Sequence, residues 1–482
     1  MEKNITHTEL KKRSLISILS LFFQGGYSAL LGLVANIVLT VLLTPHVFGI
    51  YITVLSIIAV LNYFSDIGLA ASLIQKKELK EEDIRTTFTV QQVMIICVIS
   101  IGFFITPFVQ SFYKLPNEGA VLYHALLIAF FISSLKTIPS VFLERKIQFQ
   151  KIVMVQIVEN TCFYFTVTVA AILGLGLNSF TIGVLLRAIT GLIVIYSLSF
   201  WVPKIGIHRP TLKTLLAFGL PFQASSFLAL FKDDLITLFL SKVVGFEGVG
   251  YIGWAKKWAE APVRIIMDNI SRVLFPVISR IQDNTQQLAN LIEKTLFYQT
   301  LLLAPALVGL VVTMTPLVYI IPKYAKWAPA LPLFYIFCLS ALFASYSTPF
   351  INLFNALGKV KISFFFMLFW TVAIWILTPL LTHYFGYYGL PFTQVLLSST
   401  FIAVIYAAKK YVKFSYFRSV YQPLISSAIM GCSMYGYMAL FSPTFFSLVS
   451  GGVVGAVVYY YSLRLLFKID LVKQLPVLLK HE

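Results

Sequence analysis

Apolar runs of about 20 residues, enough for a helix to cross the bilayer's hydrocarbon core, follow one another along the whole chain. Short clusters of charge, glycine or proline separate them. Breaks at these clusters predict fourteen spans, near 15–43, 47–74, 87–111, 120–142, 152–174, 178–201, 213–241, 249–276, 294–321, 329–356, 361–383, 387–408, 419–441 and 445–467. The first follows a basic flank (Lys3, Lys11, Lys12, Arg13) as a signal peptide would. It is far longer than a signal core and no A-x-A site closes it, so it reads as a retained span with its N-terminus inside.

One span breaks the apolar pattern. The stretch 254–276, WAKKWAEAPVRIIMDNISRVLFP, holds Lys256, Glu260, Arg264, Asp268 and Arg272 at unbroken spacings of four. Residues four apart stack on a helix face, and opposite charges so placed attract. The result is a ladder of alternating sign, about 24 Å long at ~1.5 Å per residue. Pro262 lies inside it and predicts a kink.

Composition agrees with the pattern: 59% of residues are hydrophobic, 12% are charged, and mean hydropathy is +0.86. The chain is read as an all-α polytopic membrane protein. Its net charge of +18 would suggest nucleic acid in a soluble protein; here it reflects basic cytoplasmic loops, and no nucleic-acid partner is expected. Of the 37 Lys and Arg, 26 fall in the termini and loops assigned inside, and only Lys114, Lys242, Lys323 and Lys326 fall outside. Were 249–276 an interfacial helix, the loops after it would hold 12 basic residues outside against two inside. The ladder therefore crosses the membrane. Each charge near the centre of a lipid-facing helix costs about 2.5–3.5 kcal/mol on insertion scales, so these side chains must face a wet or protein-lined interior.

Other ionisable residues in the spans extend this picture, because intramembrane charges mark substrate or ion pathways. The candidates for holding an anionic substrate are Arg264, Arg187, Lys232, Lys256, Lys257 and Lys136. Lys136 and Arg272 also lie near the cytoplasmic side, where a long side chain can snorkel to the interface. Asp66, Glu159, Asp233 and Asp234 are candidates for H+ or Na+ coupling, since a carboxylate in a low dielectric takes up a proton readily. Asp66 in the SDIG break also reads as a local cap, and Asp233 and Asp234 as partners of Lys232 and of the ladder. Glu260, Asp268 and Arg272 are ladder partners. Tyr251, Trp254 and Trp258 stand beside the ladder's outer half, placed to stack on sugar rings or to join an aromatic belt. The four cysteines lie singly in apolar segments and read as inert buried thiols; neither they nor the six histidines form a metal-ligand spacing. No catalytic constellation and no G-x-x-x-x-G-K-[ST] loop is present. The chain is not expected to be an enzyme or to carry a cofactor.

A faint internal repeat completes the reading. TPHVFGIYITVL, entering the second span, aligns with GFEGVGYIGWAK, entering the eighth, at an offset of 201 residues. Two related halves would enclose a cavity at their shared interface. Phe48-Gly49-Ile50-Tyr51, Asp66-x-Gly68, Phe218-Gly219-x-Pro221, Gly245…Gly250-Tyr251, Phe275-Pro276 and IPSVFLERKIQF at 138–149 together resemble the polysaccharide-transporter flippases of the multidrug/oligosaccharidyl-lipid/polysaccharide exporter superfamily. The resemblance covers most of the chain. It implies two pseudo-symmetric six-helix bundles in a V shape, residues 1–203 and 214–412, joined by a linker at 204–213. Two accessory helices and a tail would follow at 413–482. It further implies alternating access in a bacterial inner membrane, with both termini cytoplasmic. The cargo would be undecaprenyl-diphosphate-linked oligosaccharide, handed to polysaccharide polymerase machinery. An ion-coupled multidrug or organic-cation antiporter of the same fold is the nearest alternative, although Arg187, Arg264 and Lys232 serve a cationic cargo poorly. A membrane polymerase or glycosyltransferase would need outer loops longer than these.

Overall fold

The computed structural model describes residues 7–65, 68–76 and 78–469. Among these residues the regular elements are all helical. The first half comprises α1 (His7–Leu42), α2 (Pro45–Ser65) with α3 (Leu69–Gln75), α4 (Glu81–Phe104) with α5 (Thr106–Tyr113), α6 (Asn117–Ser134) with α7 (Thr137–Arg145), α8 (Phe149–Ile172) and α9 (Asn178–Leu198). The second comprises α10 (Arg209–Val243), α11 (Gly245–Ile281), α12 (Thr285–Ile320), α13 (Leu331–Ala356), α14 (Val360–Phe385), and α15 (Gly389–Ser399) with α16 (Phe401–Lys409). The pair α17 (Tyr416–Leu440) and α18 (Phe445–Phe467) follows. Each of the fourteen expected spans coincides with one helix or one broken pair. Ten stretches among the described residues are long and apolar enough to cross a membrane, and one of them, Val360–Lys409, holds two passes. α10, α11 and α17 fall outside that set; for α11 the reason is its charge.

Local chemistry sets the helix ends. Glu81, Glu82 and Asp83 occupy the first turn of α4, where carboxylates complement the helix dipole, and Asp83 accepts from the Lys80 N–H at 2.9 Å. Asn284 caps α12 by accepting from the Gln287 N–H at 3.0 Å, and Thr444 and Ser447 form a capping box on α18.

Proline interrupts several spans, and the backbone group it frees is taken up elsewhere. A proline inside a helix leaves the carbonyl four residues before it without its usual donor, which in a bilayer is costly unless another group replaces it. Pro305 frees Leu301, and the Tyr459 hydroxyl of α18 donates to that carbonyl at 2.8 Å. Pro349 frees Ser345, which accepts from Gln299 Nε2 at 3.4 Å. Pro139, in the first turn of α7, leaves Leu135, which accepts from the Tyr196 hydroxyl at 3.3 Å.

The halves repeat as a series. α1 and α10 start 202 residues apart, α2 and α11 200 apart, and α9 and α15 211 apart. By packing, the chain forms two compact units, Met1–Gly250 and Tyr251–Glu482. In the first, α8 lies along α9 and α1, α6 lies on α9 and α2, and α10 packs along α2 and on α3 and α4. The core of this unit includes Val54, Leu122, Tyr123, Leu127, Phe163 and Val167. The linker ahead of α10 is tied to α4: Gly206 N–H donates to Thr89 Oγ1 at 2.9 Å and His208 N–H to Thr86 Oγ1 at 3.0 Å. In the second unit α12 lies along α17, and α13 packs on α15 and α16, around Ile292, Leu296, Phe350, Leu353, Phe354 and Val404. All four cysteines are free; Cys338 is buried, whereas Cys97 and Cys432 reach the surface rather than being enclosed as their apolar surroundings in sequence imply.

Candidate substrate-binding charges

The ladder helix α11 continues through both Pro262 and Pro276. Its packed face changes on the way. Between Trp254 and Pro262 the buried residues are Trp254, Ala255, Trp258 and Ala259; after Pro262 they are Met267, Leu274 and Ile278. At 100° per residue the centres of these sets lie about 150° apart, so the helix turns nearly half round in what it buries. The charged stripe lies about 150° from the outer packed set; Lys256 and Glu260 on it are half-buried, and Arg264, Asp268 and Arg272 are exposed.

Glu260 is the hub of that stripe. Its carboxylate sits 3.8 Å from Lys256 Nζ and accepts from Arg264 Nη2 at 3.1 Å. Arg264 therefore reaches back one turn toward Glu260. A glutamate four residues N-terminal to a cation is the favourable order, and helical side chains lean toward the N-terminus. Asp268 forms no ion pair among the described residues, so the ladder is joined over its first three rungs rather than along its whole length. Lys257, Asp268 and Arg272 are exposed, and the Arg264 side chain is 73% exposed although its head is held by Glu260.

The aromatic residues beside the ladder are packed against protein. Trp254 stacks on Trp327 with ring centroids 5.6 Å apart and planes 15° apart. Its Nε1 donates to the Tyr324 hydroxyl at 2.9 Å. Trp258 stands edge-on to Trp254, and Tyr251 edge-on to Trp327. All three rings on α11 are buried, as are Tyr324 and Trp327. The sequence reading did not identify Tyr324 and Trp327, which lie in a segment read as an outer loop; two aromatics bounded by Pro322 and Pro329 were the available signal.

The remaining candidates separate into distinct surroundings. Lys136, at the break between α6 and α7, pairs with Glu159 of α8, and both are largely enclosed. α9 makes room for that carboxylate: a Cβ at Gly191 would lie 1.7 Å from Glu159 Oε1. The structure thus joins a residue read as substrate-binding to one read as ion-coupling. Arg187 on α9 is exposed. Its guanidinium carbon lies 5.7 Å from the Phe163 ring centroid, a cation–π distance, and Tyr51 and Tyr164 are within electrostatic reach. Tyr51 in turn stacks on Phe180 at 3.9 Å. On α10, Lys232 and Asp233 are exposed and Asp234 half-buried. Among the described residues Lys232 and Asp233 form no ion pair, consistent with adjacent helix positions diverging. Asp66 lies outside the described residues. Outside the spans, burial raises the Glu144 carboxyl above the usual carboxylate range, while Arg145 beside it donates to the Leu73 carbonyl at 2.9 Å.

Comparison with known proteins supplies a family. Residues 38–332 match the family described as polysaccharide biosynthesis protein. The chain is 28% identical to lipopolysaccharide biosynthesis protein WzxC of Escherichia coli K12 over 353 residues, 71% of this chain and 69% of that one. It is 21% identical to teichuronic acid biosynthesis protein TuaB of Bacillus subtilis, over 77% and 78% of the two chains. Among solved structures, lipid II flippase MurJ in an inward closed conformation matches with a TM-score of 0.73 at 14% identity, covering 94% of this chain and 99% of that one. An inward-facing MATE-family multidrug transporter matches with a TM-score of 0.59 at 14% identity, covering 78% and 93%. Both belong to one fold, and the repeated helix series is its expression here. With more than half of its length matched by the family model, this chain is a multi-pass membrane member of the polysaccharide biosynthesis protein family.

Proposed function

We propose that the protein is a flippase that moves a lipid-linked oligosaccharide, carried on undecaprenyl diphosphate, from the inner to the outer leaflet of a bacterial cytoplasmic membrane. The observation that carries this reading is Arg264, a guanidinium on a membrane-crossing helix, uncovered and held by a single carboxylate. A diphosphate leaving water needs fixed donors, and a guanidinium offers it paired, charge-assisted bonds. Glu260 keeps Arg264 oriented while no cargo is bound. The diphosphate then competes for the same donors, with Lys256 and Lys257 adding charge nearby. Arg187, walled by Phe163 and flanked by Tyr51 and Tyr164, is a separate candidate cation on the first unit. The glycan stays hydrated beside these groups and the polyprenyl chain stays in lipid. WzxC is named for lipopolysaccharide biosynthesis, TuaB for teichuronic acid biosynthesis and the MurJ structure for lipid II, which supports a glycan cargo. Asp66, Asp233 and Asp234 are the carboxylates that would couple transport to H+ or Na+; the pairing of Glu159 with Lys136 gives that residue a structural task first.

The test is export in cells. Arg264→Ala should stop export and leave lipid-linked oligosaccharide on the cytoplasmic leaflet, with the amount of inserted protein unchanged. Arg264→Lys should restore part of it, because an ammonium keeps the charge but not the paired geometry. Wild-type export by Arg264→Ala would remove the proposed role of the ladder.

A further inference from the structure

Gly49, in the second turn of α2, and Gly250, in the second turn of α11, each meet backbone from the other's element. A Cβ on Gly49 would lie 1.7 Å from the Phe246 carbonyl oxygen; a Cβ on Gly250 would lie 2.0 Å from the Pro45 carbonyl oxygen. The repeat offset of 201 relates position 49 to 250 and 45 to 246. The two approaches are therefore one contact made twice, the reciprocal pattern of a two-fold axis. Neither glycine has a positive φ, so their use is close approach of helix backbones and not a special turn conformation. Around them, His46 stands edge-on to Phe246 with centroids 5.6 Å apart. One turn deeper, the Thr53 and Ser241 hydroxyls bond at 2.7 Å in a buried position.

All these residues lie within the first packing unit. With the orientation given by the basic loops, the seam is at the outer end of the molecule. It is held by backbone approach, one hydroxyl pair and an edge-on ring contact, and it joins the equivalent helix starts of the two repeats. In a transporter whose repeats move against each other, backbone approach and a hydroxyl pair are contacts that can break and re-form.

We propose that Gly49 and Gly250 are the closing contact of an outer gate, whose seal requires a hydrogen in place of a side chain at both positions. The inference rests on the transport reading only in requiring that the outer end opens. In the closed seam Thr53 is shielded, and on opening it is reached from outside.

The experiment uses the full chain with Cys97, Cys162, Cys338 and Cys432 replaced by serine and Thr53→Cys as reporter, probed in right-side-out vesicles with a membrane-impermeant thiol reagent. Labelling should be slow in this background. Gly49→Ala or Gly250→Ala should each accelerate it about tenfold by shifting the population toward the open seam. Gly309→Ala, whose added methyl meets nothing within 4 Å, should leave it unchanged. If a glycine variant fails to insert, the pair Thr53→Cys and Ser241→Cys decides: oxidation should stop export and reduction restore it. Protection of the reporter in both glycine variants, or export by the cross-linked protein equal to that of the reduced form, would overturn the proposal. Labelling is independent of cargo, so an error in the substrate assignment would leave that result intact and change only the export arm.

Discussion

Lys136–Glu159 and Arg264–Glu260 are both cation–carboxylate pairs within spans, yet they differ in enclosure. Side-chain exposure is 17% and 9% for the first pair, against 73% and 28% for the second. Removing one partner of a buried pair leaves an uncompensated charge and costs about 3–5 kcal/mol, whereas an exposed i,i+4 pair is worth about 0.3–0.5 kcal/mol. Glu159→Gln should therefore lower thermal stability in detergent strongly, and Glu260→Gln should barely move it. Replacing Lys136 and Glu159 together by Met and Leu should recover most of the loss. Equal melting temperatures for Glu159→Gln and Glu260→Gln would contradict this division. The sequence marked all four residues as intramembrane charges. It could not show that Lys136 meets Glu159, because that pairing depends on how α7 and α8 pack and on the space left by Gly191 on α9.

At the scale of the helix, the spacing of four in 254–276 was fully legible, since it is a property of one α-helix. What the ladder helix packs against was not: Trp327 and Tyr324 come from another part of the chain, and their meeting with Trp254 is set by tertiary structure. The same holds for proline. Pro305 announces a break in the helix ladder of α12, but only the fold shows that Tyr459, 158 positions from Leu301, closes it. This makes a coupled prediction. Tyr459→Phe should destabilise by about 1–3 kcal/mol because it leaves a buried carbonyl without a donor. In a Pro305→Ala background the helix regains its own N–H at that position, and the same substitution should cost much less. The double-mutant cycle measured by thermal unfolding checks it; additive losses would mean that the hydroxyl does not replace the missing backbone bond.

For the molecule as a whole, the positive-inside count and the weak repeat between 44–55 and 245–256 anticipated a helix series that occurs twice and then continues. α17 and α18 have no counterpart in the first half, yet α17 runs along α12. In water such an added pair would be held by the hydrophobic effect. In a bilayer lipid competes equally well for an apolar helix face, so association depends on packing and hydrogen bonds. The contacts to α12 are of that kind: Gly431 set against Val308, the Tyr459 bond to Leu301, and the Ser415 N–H donating to Glu293 at 2.7 Å. A chain ending after Val412 would present Leu301, Val308 and Val312 to lipid, which suits them, and would lose those polar bonds together with Phe414 and Val420 from the core of the second unit. It should insert, keep part of its export, and melt at a lower temperature than Tyr459→Phe, because it loses the Ser415–Glu293 bond and the packing of Phe414 and Val420 as well. Loss of insertion on truncation would show instead that α17 and α18 belong to the folding core of the second half.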